Sequence, residues 1–193
     1  ERLFLEADSA LQLLDEALQR ASYLNQIRRA AIQFADSAAP VPAEDLPLRI
    51  GINTLAMFPP ILPVTVAYDE LKSSGRLQLI RSAALRDQIA EFHVELDYYE
   101  QLRRGFSDGT EQYFLGYREH VTWNYNPEAT TTDILLSTYD WDSLRSDEAF
   151  ILDIIGLLRN HLVMEDGLTT LRDQASALCD SLGARVGRAC GAL

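Results

Sequence analysis

Lysine is nearly missing from this chain: Lys72 is the one lysine among 17 basic residues, and 29 acidic residues leave a formal net charge of −12. Charge of that sign works against neutralising phosphates, which excludes nucleic acid and anionic membrane surfaces as partners. Long apolar runs are missing too. The longest, from Leu55 to Ala67, is interrupted by Pro59, Pro60 and Pro63 and is too short to cross a bilayer. No GxGxxG, P-loop, GxSxG, HExxH or CxxC pattern occurs, so the chain carries none of the short motifs that bring a mechanism with them. Strand signals are equally sparse, since Val64-Thr65-Val66 and Gln78-Leu79-Ile80 are too short to build a sheet.

Cysteine is limited to Cys179 and Cys190. In an oxidising compartment an even pair favours a disulfide, whereas in cytosol the two would be small buried residues. On an unbroken helix their spacing spans about 16 Å, beyond the roughly 7 Å that a disulfide allows between Cα atoms. A bond between them therefore requires the chain to turn at Gly183 or Gly187.

What is present is helical patterning over 193 residues, enough for a single domain covering 1–193. Leu3, Ala7, Leu11, Leu14, Leu18, Ala21, Leu24, Ile27, Ala31 and Phe34 follow one another at steps of three and four, one broad stripe on a long first helix. The proline-rich stretch 39–47 ends it. After a short apolar segment to Phe58 and Pro59-Pro60-Ile61-Leu62-Pro63, Thr65 is placed to cap a short helix that Gly75 stops. Ser82 caps a third helix with core positions Leu85, Ile89, Phe92, Leu96 and Tyr99, which Gly105 with Ser107-Asp108-Gly109 closes in a turn. One helix to about Asn124, a loop and a short helix from Asp133 follow. In the last helix, capped by Ser146 and ended by Gly183, Ile154, His161, Leu168, Ala175 and Leu182 recur every seven residues, as do Leu157, Met164, Leu171 and Leu178. The fold class expected is an all-α antiparallel helical bundle with long first, middle and last helices and a Pro-rich irregular connector.

The histidines offer the first test for chemistry. His93 with Asp97 and His161 with Glu165 are i,i+4 pairs that can set two ligands on one helix face. The glutamate-rich pattern of di-iron bundles is absent, and His161 falls on the heptad seam, so both read as neutral, hydrogen-bonded core histidines. Serine, histidine and acid are all present, but nothing in the sequence brings one of each together. No catalytic residue, metal or cofactor is expected. The aromatic-rich stretch 98–141 is the candidate for a ligand pocket, with Tyr113, Tyr117, Trp123 and Trp141 as its binding residues.

The run Tyr68-Asp69-Glu70-Leu71-Lys72-Ser73-Ser74-Gly75-Arg76-Leu77-Gln78-Leu79-Ile80, followed by Leu85-Arg86, resembles the signature of an uncharacterised family of bacterial membrane-anchored helical proteins. In that family a Tyr-(Asp/Glu)-Glu-Leu-x-Ser-Ser-Gly-x-Leu-x-Leu-Ile run follows a proline-containing connector. The resemblance implies one N-terminal transmembrane helix, a helical domain beyond it and no established activity. Physically the run is a helix, a stop and a new helix. Asp69 and Glu70 lie early and Lys72 late, as the helix dipole prefers, and the alternative is a small polar site made by Tyr68, Glu70, Lys72 and Ser73.

These readings lead to one expectation and one alternative. The expectation is a non-enzymatic helical domain in the bacterial periplasm, tethered to the inner membrane by a helix removed upstream of Glu1, that senses or scaffolds through a protein partner or a second copy. The alternative is a small-molecule-binding or hydrolytic domain that uses 98–141. A dry core and an exposed apolar strip on the first helix favour the former; a pocket lined by the named aromatics and perturbed acids favours the latter.

Overall fold

The structure, a computed structural model, describes residues 1–123 and 137–191, apart from the side chains of Gln112 and Trp123. Seven α-helices lie among the described residues: α1 (Arg2–Ala35), α2 (Leu46–Asn53), α3 (Val66–Ser73), α4 (Ala83–Asp108), α5 (Glu111–His120), α6 (Trp141–Ser146) and α7 (Glu148–Val186). The only sheet among them is a two-stranded antiparallel ladder, β1 (Val121–Trp123) with β2 (Ser137–Tyr139), in which Thr122 faces Thr138. The chain is thus an all-α bundle, and no described helix is long and apolar enough to cross a membrane. It gathers into two compact units, one from Glu1–Arg20, Pro59–Arg103 and Met164–Leu193, the other from Ala21–Phe58 and Arg104–Val163.

In the first unit α7 runs antiparallel to α1, because Asp8 lies against Cys179 and Asp15 binds Arg172 at 2.9 Å. It is antiparallel to α4 as well: Gly167 is bare enough for the Tyr99 ring to approach, while Ile89 and Phe92 meet Leu178 and Leu182 around a cavity of about 20 Å³. Both heptad series of α7 are buried over their whole length, from Ile154 to Leu182. Ser82 caps α4 through its hydroxyl on the Leu85 amide (3.3 Å). Gly75 takes φ +69°, the left-handed stop that ends α3. Gly75→Val should then lower the denaturant midpoint by an amount worth about 1 kcal/mol or more, at constant slope.

Helix α4 closes in the expected Ser107-Asp108-Gly109 turn, with Gly105 itself still helical and its carbonyl accepting the Gly109 amide. Other boundaries differ from the sequence reading. The helix read to Asn124 stops at His120, where the chain turns extended into β1, and the helix start at Asp133 lies outside the described residues. Asp147, not Ser146, caps α7: its carboxylate accepts the Phe150 amide at 3.0 Å, while the Ser146 hydroxyl is used on Asp142. Gly183 does not end α7. The helix closes at Gly187 (φ +70°) with the Arg188 amide on the Gly183 carbonyl, and Gly183 is bare because a Cβ there would meet that same Arg188 carbonyl at 2.5 Å.

The second unit is built around buried polar groups of α1. Arg28 donates to the Thr54 carbonyl (2.8 Å), the Thr54 hydroxyl (3.2 Å) and Asn25 (2.8 Å), so its charge is spent on the turn that follows α2. Helix α2 lies so close to α1 that a Cβ on Gly51 would come within 2.5 Å of the Ala31 Cβ.

Candidate functional site

In the first unit α3 brings the signature residues to different uses. Thr65 precedes the helix, but its hydroxyl goes to Asp69, and the free amides of Ala67 and Tyr68 are taken by the carboxylate of Glu6 from α1 at 2.5 and 3.3 Å. Tyr68 is buried and stacks on His93 with ring centroids 3.4 Å apart, and Lys72, one turn on, sits 5.4 Å from the centre of the Tyr68 ring. Glu70 turns outward to Arg2 (2.8 Å), and the Ser73 hydroxyl caps the Glu70 carbonyl (3.2 Å). Tyr68 and Lys72 therefore meet, whereas Glu70 and Ser73 are engaged elsewhere. His93 was expected to be hydrogen-bonded. Among the described residues no hydrogen bond reaches its ring; stacking holds it instead, and burial pushes its pKa down to about 4 although Asp69 and Asp97 pull the other way.

Beside Glu70 lies an open groove of about 700 Å³, the size of a ligand or peptide cleft. Leu3, Phe4, Leu71, Leu79, Ile80 and Val186 give it an apolar lining, and Leu79 is 75% exposed. Arg81 and Arg185 stand on the same lining, and among the described residues no carboxylate pairs with either.

From Arg104 onward the aromatic stretch belongs to the second unit, whereas Tyr98 and Tyr99 lie in the first. Tyr113 donates its hydroxyl to the Ile52 carbonyl (2.7 Å) and stacks on Phe150; the Tyr117 and Tyr139 hydroxyls meet at 2.9 Å and both reach the side-chain oxygen Oδ1 of Asn53. Burial pushes the Tyr113 and Tyr117 hydroxyls well above the usual phenol range, so they act as neutral donors that tie α5 to α2. Trp141 is buried, donates to Asp45 (3.0 Å) and lines an open depression of about 530 Å³ with His120, Thr138 and Asp140. The side chain of Trp123 lies outside the described ones.

His120, on the lining of that depression, belongs to an array that the sequence reading missed. His120, buried at the end of α5, places Nδ1 at 3.0 Å from the Ser143 hydroxyl and Nε2 at 3.0 Å from Asp147. A carboxylate accepts only, so Nε2 donates to Asp147, and in a neutral ring with that tautomer Nδ1 accepts from the Ser143 hydroxyl. Asp147 is held ionised by the Phe150 amide first and His120 second, which keep its pKa low. The array can orient a hydroxyl toward a base. It also closes α5, α6 and α7 on one another without any ligand.

His161 is a buried core histidine. Its Nε2 bonds the Leu55 carbonyl (2.8 Å), its ring stacks on Phe58 at 4.2 Å, and burial, then the charge of Arg28, push its pKa down to about 4. Among the described residues Asp97 acts on His93 through its charge alone.

Cys179 and Cys190 form a disulfide, with Cα atoms 6.1 Å apart, because the chain reverses at Gly187 and brings the tail back to α7. Fully buried Asp8 lies against it: Oδ1 accepts the Gly191 amide at 2.6 Å and sits 3.8 Å from Cys179 Sγ, while Oδ2 has no hydrogen-bond partner. Replacing both cysteines by serine should cost about 2.5 kcal/mol, the entropy released when a loop of this length opens, read as a fall in denaturant midpoint.

The fold defines a class, the all-α helical bundles, and nothing narrower. Compared with protein-family models, curated proteins and solved structures, the chain matches none.

Proposed function

We propose that the chain is the periplasmic domain of a bacterial inner-membrane protein, tethered by a helix upstream of Glu1, and that it senses or scaffolds by binding another protein without catalysing a reaction. The observation that carries this reading is the groove beside Glu70. It presents an apolar floor to solvent and, among the described residues, leaves Arg81 and Arg185 without acidic partners, so a partner segment that sets apolar side chains beside carboxylates fits it. Covering a side chain as exposed as Leu79 contributes on the order of 2 kcal/mol, and a guanidinium gives a carboxylate paired donors. The disulfide supports an oxidising compartment, and the run 68–80 supports the tether.

A photo-crosslinking residue at Leu79 of the full-length protein, expressed in its own host, tests this. An adduct is expected at Leu79, absent from the comparably exposed Val94 on α4, and lost when Arg81 and Arg185 are both replaced by glutamate. An adduct of twice the protein's own mass identifies a second copy as the occupant. Equal labelling at Leu79 and Val94 contradicts the reading.

Hydrolysis is supported by one specific observation, the Ser143–His120–Asp147 array beside the open depression. A fluorophosphonate probe separates the two readings. The binding reading expects no label; a label lost in Ser143→Ala moves hydrolysis to first place.

A further inference from the structure

A carboxylate with no access to water and one oxygen unpartnered is costly to fold, and in native proteins such a group calls for a reason. Asp8 is such a group. Its exposure is 0% and Oδ2 has no partner, while Oδ1 accepts the Gly191 amide and lies 3.8 Å from Cys179 Sγ. One ligand atom from each of Asp8, Cys179 and Cys190 falls within 4.8 Å of the others.

We infer that, once the Cys179–Cys190 disulfide is reduced, Asp8, Cys179 and Cys190 form a binding site for a soft divalent cation of the zinc type. Two thiolates and one carboxylate are the ligand types zinc takes, with metal–sulfur bonds of about 2.3 Å and metal–oxygen bonds of about 2.0–2.2 Å that set neighbouring ligand atoms about 3.4–3.8 Å apart. Asp8 Oδ1 already stands 3.8 Å from Cys179 Sγ, and the two sulfurs, bonded to each other in the disulfide, have to part on reduction. Each comes from a different part of the first unit: Asp8 from α1, Cys179 from α7, and Cys190 from the tail after the helix stop at Gly187. The tail is the part that adjusts. Cys190 is half-buried and flanked by left-handed Gly187 and Gly191, so its sulfur can move without disturbing the packed helices. Calcium and magnesium are excluded by ligand count, since they require six or more oxygens and the site offers one carboxylate.

The chemistry is balanced by a dithiol reductant. Its thiolate attacks the disulfide, a second exchange releases it as its own disulfide, and the two electrons and two protons it gives up leave Cys179 and Cys190 as thiols. Metal binding forms two metal–sulfur bonds and returns those protons to solvent. In the oxidised protein the sulfurs are bonded to each other and do not ligate, so redox state gates the site. The inference stands apart from the partner-binding reading, which concerns a different surface of the unit.

The full chain, reduced without oxygen by a phosphine that is then removed, is titrated with cobalt(II). Reduced protein is expected to develop sulfur-to-cobalt charge-transfer absorption that saturates at one equivalent and is displaced by zinc(II); oxidised protein shows none. Asp8→Asn should weaken cobalt binding at least about 10-fold. Cys190→Ser, which changes only the tail and keeps the far-ultraviolet spectrum, should abolish the absorption. Reduced wild type without the charge-transfer band, Asp8→Asn binding as tightly as wild type, or full absorption in Cys190→Ser each overturns the inference.

Discussion

Gly51→Val is expected to be the most damaging single substitution in the second unit, costing about 3 kcal/mol or more. The first added atom would stand 2.5 Å from the Ala31 Cβ and 2.9 Å from the Ile27 carbonyl oxygen. The second of these is backbone of α1 and cannot swing away. Adding Ala31→Gly removes only the side-chain half of the clash, so the double variant should recover part of the loss, and the non-additivity shows that the two sites touch. Urea unfolding of the two single variants and the double variant measures this. A Gly51→Val protein with an unchanged midpoint would mean that α2 does not approach α1 this closely.

Acid should unfold the protein partly through His161. In the folded chain its pKa lies at about 4, while an unfolded histidine titrates near 6.5. Between those values the unfolded state binds the extra proton and the folded state does not, so stability falls as pH is lowered from about 6.5 and this contribution levels off below about 4. The full loss is about 3 kcal/mol. His161→Gln keeps a donor for the Leu55 carbonyl but cannot be charged, so the difference between variant and wild type should narrow or invert from pH 7.5 to pH 4.5. A difference that stays constant across that range removes His161 as the cause.

The bundle was legible because the seam of α7 is written in apolar residues at constant spacing, and because Ser82 and Gly75 mark real ends. The hairpin was not. Its strands are three residues each, separated by residues 124–136, and no local pattern announces that Val121 will face Tyr139. Counting apolar residues also hides a buried line that is partly polar. Asp8, Asn25 and Arg28 are all buried on α1, yet a stripe drawn through leucine and alanine passes beside them. His120 was passed over because its partners lie 23 and 27 residues away, and Asp147 because a carboxylate in a first turn looks the same as a cap one residue earlier. Of the signature, the helix, the stop and the new helix were readable. That Glu6 would cap α3, and that a groove would open beside Glu70, depends on the packing of α1 against α3, which sequence spacing does not encode.

Both the proposed role and the proposed redox gating of a metal site rest on an oxidised domain outside the cytoplasm, and thiol trapping tests that most directly. Cells of the native host are quenched in acid, and the denatured full-length protein is treated with a maleimide of high mass before and after reduction. The account predicts no mass shift before reduction and a shift of two maleimides, at Cys179 and Cys190, after it. Two maleimides attached without reduction would contradict it.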